Sequence, residues 1–276
     1  MLCPPMSASR LTESVIVTRL RDAGCVFAED EARLLMSAAA TQGDLAVMVE
    51  RRAAGAPLEY IIGWAEFCGL RIAVAVGVFV PRHRTEFLVT QAVAVARPGA
   101  VVVDLCCGSG AVGVAVAAAV LGIELYAADI DPAAVRCARR TVGAIGGRVY
   151  EGDLDQPLPT TLQGRVDLLV ANVPYVPTAD IELLPREARL YEARVALDGG
   201  ADGLDVLRRV AAAAPRWLAP AGHLLVETSD RQAPQAMEIF ARNGLTPRVA
   251  HSDDLDATVI VGTAPGHRSP WSTTGS

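Results

Sequence analysis

The chain has 276 residues, of which 51% are apolar and 20% charged, and its net charge is −6. That composition suits one large buried domain with a smaller one beside it, and it excludes a chain disordered over most of its length. The acidic balance argues against binding driven by nucleic-acid phosphates, which calls for a basic face; every basic side chain is Arg and none is Lys, a bias that GC-rich coding explains as well as any function.

Residues 12–23 and 29–41 carry apolar side chains at helical spacing and close on Gly24 and Gly43, and 44–54 continues the pattern to Gly55. The spacing predicts a small helical domain over 1–63. Residues 57–63 lead into Glu66-Phe67-Cys68, and 70–80 alternates well enough for the second strand of a short antiparallel hairpin, closed by Pro81, that links the domains over 64–82. From 83 to 265 helices and β-branched runs take turns. Strands are expected at 101–103, 124–127, 166–170, 223–227, 247–249 and 257–261, and helices at 111–120, 132–141, 204–213 and 234–242. This alternation predicts an α/β, Rossmann-like domain with a mostly parallel, doubly wound sheet. The tail 266–276 is polar, rich in Ser, Thr, Gly and Pro, and expected to be disordered. No apolar run reaches membrane-spanning length and no basic-then-apolar leader opens the chain, so a soluble, cytoplasmic protein is expected. The six Cys and four His lack metal-ligand spacing, which predicts reduced thiols and no zinc site.

Asp104-Leu105-Cys106-Cys107-Gly108-Ser109-Gly110 stands where a strand passes into a helix, and Gly108 to Gly113 fits G-x-G-x-x-G. The glycines let the turn tighten and let a nucleotide-like ligand approach the backbone. Alone, the pattern suits dinucleotide enzymes as well as methyltransferases. Asp104 is placed to accept a hydrogen bond from an ammonium group or to orient the loop. A carboxylate ending the second strand holds ribose hydroxyls; Asp129 is the first candidate and Asp131, equally suited to capping the helix that starts at Pro132, the second. Asp153 is placed for the exocyclic amine of adenine and Leu154 for its ring face. Cys106 and Cys107 read as small packing residues of this cofactor loop, not as nucleophiles.

Asn172-Val173-Pro174-Tyr175 follows the apolar run 166–171. An Asn at a strand tip, ahead of a rigid turn that ends in an aromatic ring, can hold a planar nitrogen. The Asn172 side-chain oxygen and the Val173 carbonyl each accept one N–H, Pro174 fixes the turn, and Tyr175 lies against the plane. Asn172, Pro174 and Tyr175 are thus the expected catalytic residues, 172–175 the acceptor-binding set, and Asn172 also borders the cofactor. A dinucleotide enzyme leaves this turn without a task. The two signatures together predict an N-methyltransferase that uses S-adenosylmethionine. Two further readings stay open: N6-adenine methylation of RNA or DNA, whose acceptor offers the same NH₂ on a flat ring, and a cofactor-binding interaction protein without activity.

From about Pro57 to Val261 the chain resembles the HemK/PrmC family of protein-(glutamine-N5) methyltransferases. The resemblance rests on Pro57-Leu58-Glu59-Tyr60-Ile61 with Gly63, Glu66-Phe67, Pro81-Arg82 with Thr85-Glu86, 104–110 and 172–175. It also rests on Tyr191-Glu192 and the block Ala196-Leu197-Asp198-Gly199-Gly200-Ala201-Asp202-Gly203-Leu204, the most specific of these. It implies a helical N-terminal domain that selects the substrate, a hairpin linker and a Rossmann-like catalytic domain. The implied reaction is methylation of a glutamine in the Gly-Gly-Gln loop of a peptide-chain release factor, or in a ribosomal protein; the expected partner is thus a protein and not a membrane, with nucleic acid left to the N6-adenine reading. Two departures mark a divergent member. The family turn is usually Asn-Pro-Pro-Tyr, and Val173 keeps the carbonyl but gives up the fixed φ of proline. His83 and Arg84 stand where the family usually carries Pro and an acidic residue.

Overall fold

A computed structural model describes residues 11–266, which divide into two compact units, one ending at Trp64 and the other starting at Ala65. Apart from Gly266, the tail expected to be disordered lies outside the described residues, as do residues 1–10. Among the described residues no helix is long and apolar enough to cross a membrane.

In the first unit, α1 (Glu13–Asp22), α2 (Ala28–Ala38), α3 (Gln42–Ala53) and the short α4 (Leu58–Ile62) turn Ile16, Leu20, Leu35, Leu45 and Val49 into a common core. Their helical spacing puts these side chains on single faces. The second helix stops at Ala38 rather than 41, because Thr41 caps α3 by accepting the Asp44 N–H at 3.1 Å. Glu31 and Arg52 form a two-pronged ion pair at 2.5 and 3.0 Å, sheltered from solvent on both sides.

From Ala65 on the second unit continues β1 (Trp64–Phe67), which meets β2 (Leu70–Ala73) through Cys68 and Gly69. Both turn residues lie in the left-handed region, at φ +49° and +71°, as a two-residue hairpin between twisted strands requires. The strand expected to run to residue 80 ends at Ala73. Gly77 redirects the chain at φ +85° and bridges to Glu192 instead.

After α5 (Glu86–Val95) come β3 (Val101–Leu105), α6 (Ala111–Ala119), β4 (Glu124–Asp129), α7 (Pro132–Thr141), β5 (Arg148–Glu151) and β6 (Val166–Ala171). Then follow α8 (Arg186–Tyr191), α9 (Asp205–Trp217), β7 (Leu218–Thr228), α10 (Ala233–Arg242), β8 (Thr246–Ser252) and β9 (Ala257–Thr263). The sheet order is β5-β4-β3-β6-β7-β9-β8, with β9 antiparallel to both its neighbours. Strands buried on both faces read as unbroken apolar runs. Val102, Leu168, Val170 and Leu225 pack with Leu88 of α5 and Val116 of α6. The alternate residues Val103, Leu169, Ala171 and Leu224 pack with Leu207 of α9 and Phe240 of α10.

The register aligns Leu105 with Ala128 and Ala171, Asp129 with Glu151, and Ala171 with Val226. The carboxyl ends of β3 to β7 therefore share one edge. Strand order reverses between β3 and β6, so the loops leaving these two strands open onto the crevice where an open α/β sheet takes its ligand.

Candidate active site

Beyond β3 the chain must turn sharply into α6, and it does so with Cys106, Gly108 and Gly110 at φ +53°, +56° and +80°. The three glycines of the pattern have different tasks. A Cβ on Gly108 would meet nothing within 4 Å, so its backbone stays open to a ligand. A Cβ on Gly110 would lie 2.5 Å from Val142 Cγ2, and one on Gly113 would lie 2.8 Å from Leu125 and 3.1 Å from Asp104 Oδ2. Those two let the helix pack closely against its neighbours.

Asp104, 1% exposed, accepts the Gly113 N–H at 2.9 Å and so orients the start of α6. Burial pushes its carboxyl up to about 7; the Gly113 hydrogen bond opposes the rise and the Asp129 charge adds to it. Asp129 ties two loops together, accepting the Gly108 N–H at 2.8 Å and the Asp131 N–H at 2.9 Å, and burial raises its carboxyl too. Asp131 caps α7 through the Ala133 N–H at 2.8 Å. Asp153 is held by Arg209 of α9 at 2.5 Å, and Leu154 beside it is buried with φ +51°. Burial raises the Cys106 and Cys107 thiols, and the surrounding carboxylates add to the effect.

The acceptor turn leaves β6 at Asn172, whose amide nitrogen donates to Thr85 Oγ1 at 3.3 Å. The side-chain oxygen remains as the acceptor for something else. Val173 is buried. The Tyr175 hydroxyl donates to Glu227 Oε1 at 3.1 Å, and burial, with Glu227 nearby, lifts its phenol above the ordinary value. The turn is backed by the block 196–204. A Cβ on Gly199 would lie 2.7 Å from the Pro174 carbonyl, and one on Gly203 would strike the Tyr175 carbonyl and Gln232 Nε2. Gln232 Nε2 in turn donates to the Tyr175 and Asp202 carbonyls, each at 3.0 Å. On the other side, Arg82 pairs with the buried Glu192 at 2.5 Å and Arg84 with the buried Glu227 at 3.3 Å. Burial raises the Glu192 carboxyl and Arg82 offsets part of that.

One cavity of about 700 Å³ joins both halves. Asp104, Cys106, Cys107, Gly108, Ser109, Asp129, Asp131, Asp153, Leu154 and all of Asn172, Val173, Pro174 and Tyr175 line it. Gly110 does not: it is the N-cap of α6, turned to Val142. Sequence reasoning missed Thr85 as the partner of Asn172, and it missed Arg209, Glu227 and Gln232. Glu227, a carboxylate near the carboxyl end of a strand, carried the one usable signal.

The profile of the methyltransferase small domain family matches residues 70–244. A release factor glutamine methyltransferase of Geobacter sulfurreducens is 42% identical over 217 residues, covering 78% of this chain and 75% of its own length. A 4-amino-L-phenylalanine/4-methylamino-L-phenylalanine methyltransferase of Streptomyces pristinaespiralis is 36% identical over 203 residues, 71% of this chain and 69% of that protein. The crystal structure of a methyltransferase from Pyrococcus furiosus shares the fold, with a TM-score of 0.54 at 15% identity over 71% of this chain and 90% of that one. Fold, cavity and likeness over three quarters of the length converge: this chain belongs to the HemK/PrmC family, that of the release factor glutamine methyltransferases, and is an S-adenosylmethionine-dependent methyltransferase.

Proposed function

We propose that the chain methylates the side-chain amide nitrogen of a glutamine in a protein, a peptide-chain release factor as the name of its relative states, in the cytoplasm where translation ends. In this reading residues 1–63 select the protein, 64–82 link, and 83–265 perform the chemistry.

The observation that carries the reading is the bond from Asn172 to Thr85. It commits the Asn172 nitrogen and leaves the oxygen to accept an N–H. An amide nitrogen is a poor nucleophile because its lone pair is delocalised into the carbonyl. Asn172 Oδ1 and the Val173 carbonyl accept its two hydrogens, which orients the lone pair and favours pyramidalisation. Tyr175 covers the amide plane, and the buried walls exclude water. The raised phenol stays protonated, so Tyr175 donates to Glu227 and is no base.

The cofactor half suits S-adenosylmethionine. Asp104, Asp129 and Asp153, spread over the loops and strand ends of β3 to β5, offer acceptors to an ammonium, ribose hydroxyls and the adenine amine. Gly108 leaves room for close approach. Bound there, the sulfonium supplies an electrophilic methyl whose leaving group departs neutral, so little acid–base help is required. A nucleic-acid acceptor is disfavoured because Arg82, Arg84 and Arg209, the guanidiniums lining the site, are already paired with Glu192, Glu227 and Asp153.

Labelled S-adenosylmethionine incubated separately with release factor, bulk RNA and a free aromatic amine tests this reading. Label in the protein, mapped by mass to a glutamine that has gained one CH₂, is the expected result. Label in RNA or the free amine, with none in protein, overturns the reading. Asn172→Ala is expected to abolish transfer while leaving cofactor affinity nearly intact, and retained turnover would remove Asn172 from the mechanism.

A further inference from the structure

Tyr175 is held at both ends. Its carbonyl receives Gln232 Nε2 at 3.0 Å and its hydroxyl donates to Glu227 Oε1 at 3.1 Å. The Arg84 guanidinium lies 5.7 Å from the ring centroid, with its Nε 3.3 Å from the same Glu227 oxygen. Glu227 stands at the carboxyl end of β7, 2% exposed, and its second oxygen has no hydrogen-bond partner among the described residues.

A carboxylate taken out of water costs free energy that a single ion pair offsets only in part, and an apolar side chain of similar size is often as stable there. Glu227 is therefore poorly accounted for as a stabilising residue. It is well accounted for by the ring it grips. Methyl transfer needs the acceptor lone pair in line with the methyl, and a ring that rocks about its side-chain torsions lets the flat amide against it rock too.

We infer that Glu227 is a positioning residue: through the Tyr175 hydroxyl it sets the tilt of the ring, while Arg84 covers one face and leaves the other to the acceptor. The inference rests on the glutamine reading of this site. Glu227 touches neither the cofactor nor the acceptor in this arrangement and acts only through Tyr175 and Arg84.

Steady-state kinetics on a glutamine-bearing release factor, with cofactor affinity by calorimetry, test it in Tyr175→Phe, Glu227→Ala, Glu227→Gln and the double variant Tyr175→Phe/Glu227→Ala. Tyr175→Phe and Glu227→Ala are each expected to lower kcat about 30-fold, the scale of a small misplacement, with cofactor Kd within about twofold. Glu227→Gln still accepts from the phenol and should recover kcat to within about threefold of wild type. The double variant should be no worse than Glu227→Ala alone, because Tyr175→Phe removes a contact that Glu227→Ala has already removed.

Glu227→Ala with wild-type kcat, multiplicative losses in the double variant, or Glu227→Gln as impaired as Glu227→Ala would each overturn the role. Should Glu227→Ala fail to unfold cooperatively on heating, Tyr175→Phe against Glu227→Gln decides, and an unimpaired Tyr175→Phe overturns the role. A wild-type chain without turnover on any glutamine overturns the reading of the site and the role built on it. An active wild type with an unimpaired Glu227→Ala overturns the role alone.

Discussion

In the proposed arrangement, Asp104 couples the fold to the cofactor through one proton. Its carboxyl titrates near 7 because burial strips its water, so between the ordinary aspartate range and that pH the folded chain holds a proton the unfolded chain has lost. Stability of the cofactor-free protein therefore falls as pH rises across this window and levels off above it. Binding of a cationic ammonium runs the opposite way, since it calls for the carboxylate. Affinity for S-adenosylmethionine is expected to weaken about tenfold per pH unit below about pH 7, and Asp104→Asn should weaken binding at high pH and flatten the profile. Calorimetric titration on both sides of pH 7 checks this, and a slope unchanged in the variant would assign the pH dependence to another group. Thr85→Val removes the acceptor that orients the Asn172 amide; kcat should drop about tenfold with cofactor affinity unmoved, the worth of one hydrogen bond in orientation. The residues legible in the sequence were those inside short local patterns: Asp104, Gly108 and Asp129 close strands or open a helix, and Asn172 ends a buried run. Thr85, Arg209, Glu227 and Gln232 reach their partners across 87, 56, 52 and 57 residues. No local pattern marks a partner that only the folded sheet brings near.

At the scale of elements, the block 196–204 is a buttress. Gly203, at φ +77°, carries no Cβ exactly where the Tyr175 carbonyl and Gln232 nitrogen crowd in, and Gly199 allows the same approach to the Pro174 carbonyl. Both the strained backbone and the clash oppose a side chain at 203. Gly203→Ala is expected to cost about 3 kcal/mol or more and to lower kcat as the turn shifts. Gly244 has a similar φ of +78° with nothing within 4 Å of a Cβ, so Gly244→Ala should cost only the left-handed conformation, about 1 kcal/mol, and leave kcat alone. Urea unfolding of the two variants separates the terms; equal losses would mean that the contact at Gly203 relaxes freely. The sequence marked this block as distinctive without showing its task, since the close approach is visible only when the two loops are brought together. The hairpin formed, but its second strand is shorter than expected for a related reason. Alternation through 70–80 is a strand pattern, but the pairing ends at Ala73 and the left-handed Gly77 then redirects the chain toward Glu192, and residue types alone do not say whether a glycine is tolerated in a strand or turns it.

For the whole molecule, period and alternation foretold a doubly wound sheet, while the antiparallel β9 between β7 and β8 is a matter of long-range order that no local signal carries. The first unit holds its own core, so the substrate selection proposed for it would fall to its surface. Val26 and Phe27 are 83% and 69% exposed. Single exposed apolar residues are ordinary, but Phe27 also occupies the N-cap of α2, where its side chain makes no capping hydrogen bond. A Ser there would add about 1 kcal/mol of helix stability, so this position forgoes stability for an exposed aromatic ring, a residue type enriched where proteins dock. Phe27→Ser accordingly makes two expectations that pull apart: a higher melting temperature, and a KM for the protein substrate raised about tenfold with kcat and KM on a short glutamine peptide unchanged. A substitution that merely damaged the fold would lower the melting temperature and slow both substrates together. A gain in stability with KM for the protein unmoved would show that Phe27 takes no part in selecting the substrate, and would turn the search for that surface to the rest of the helical unit.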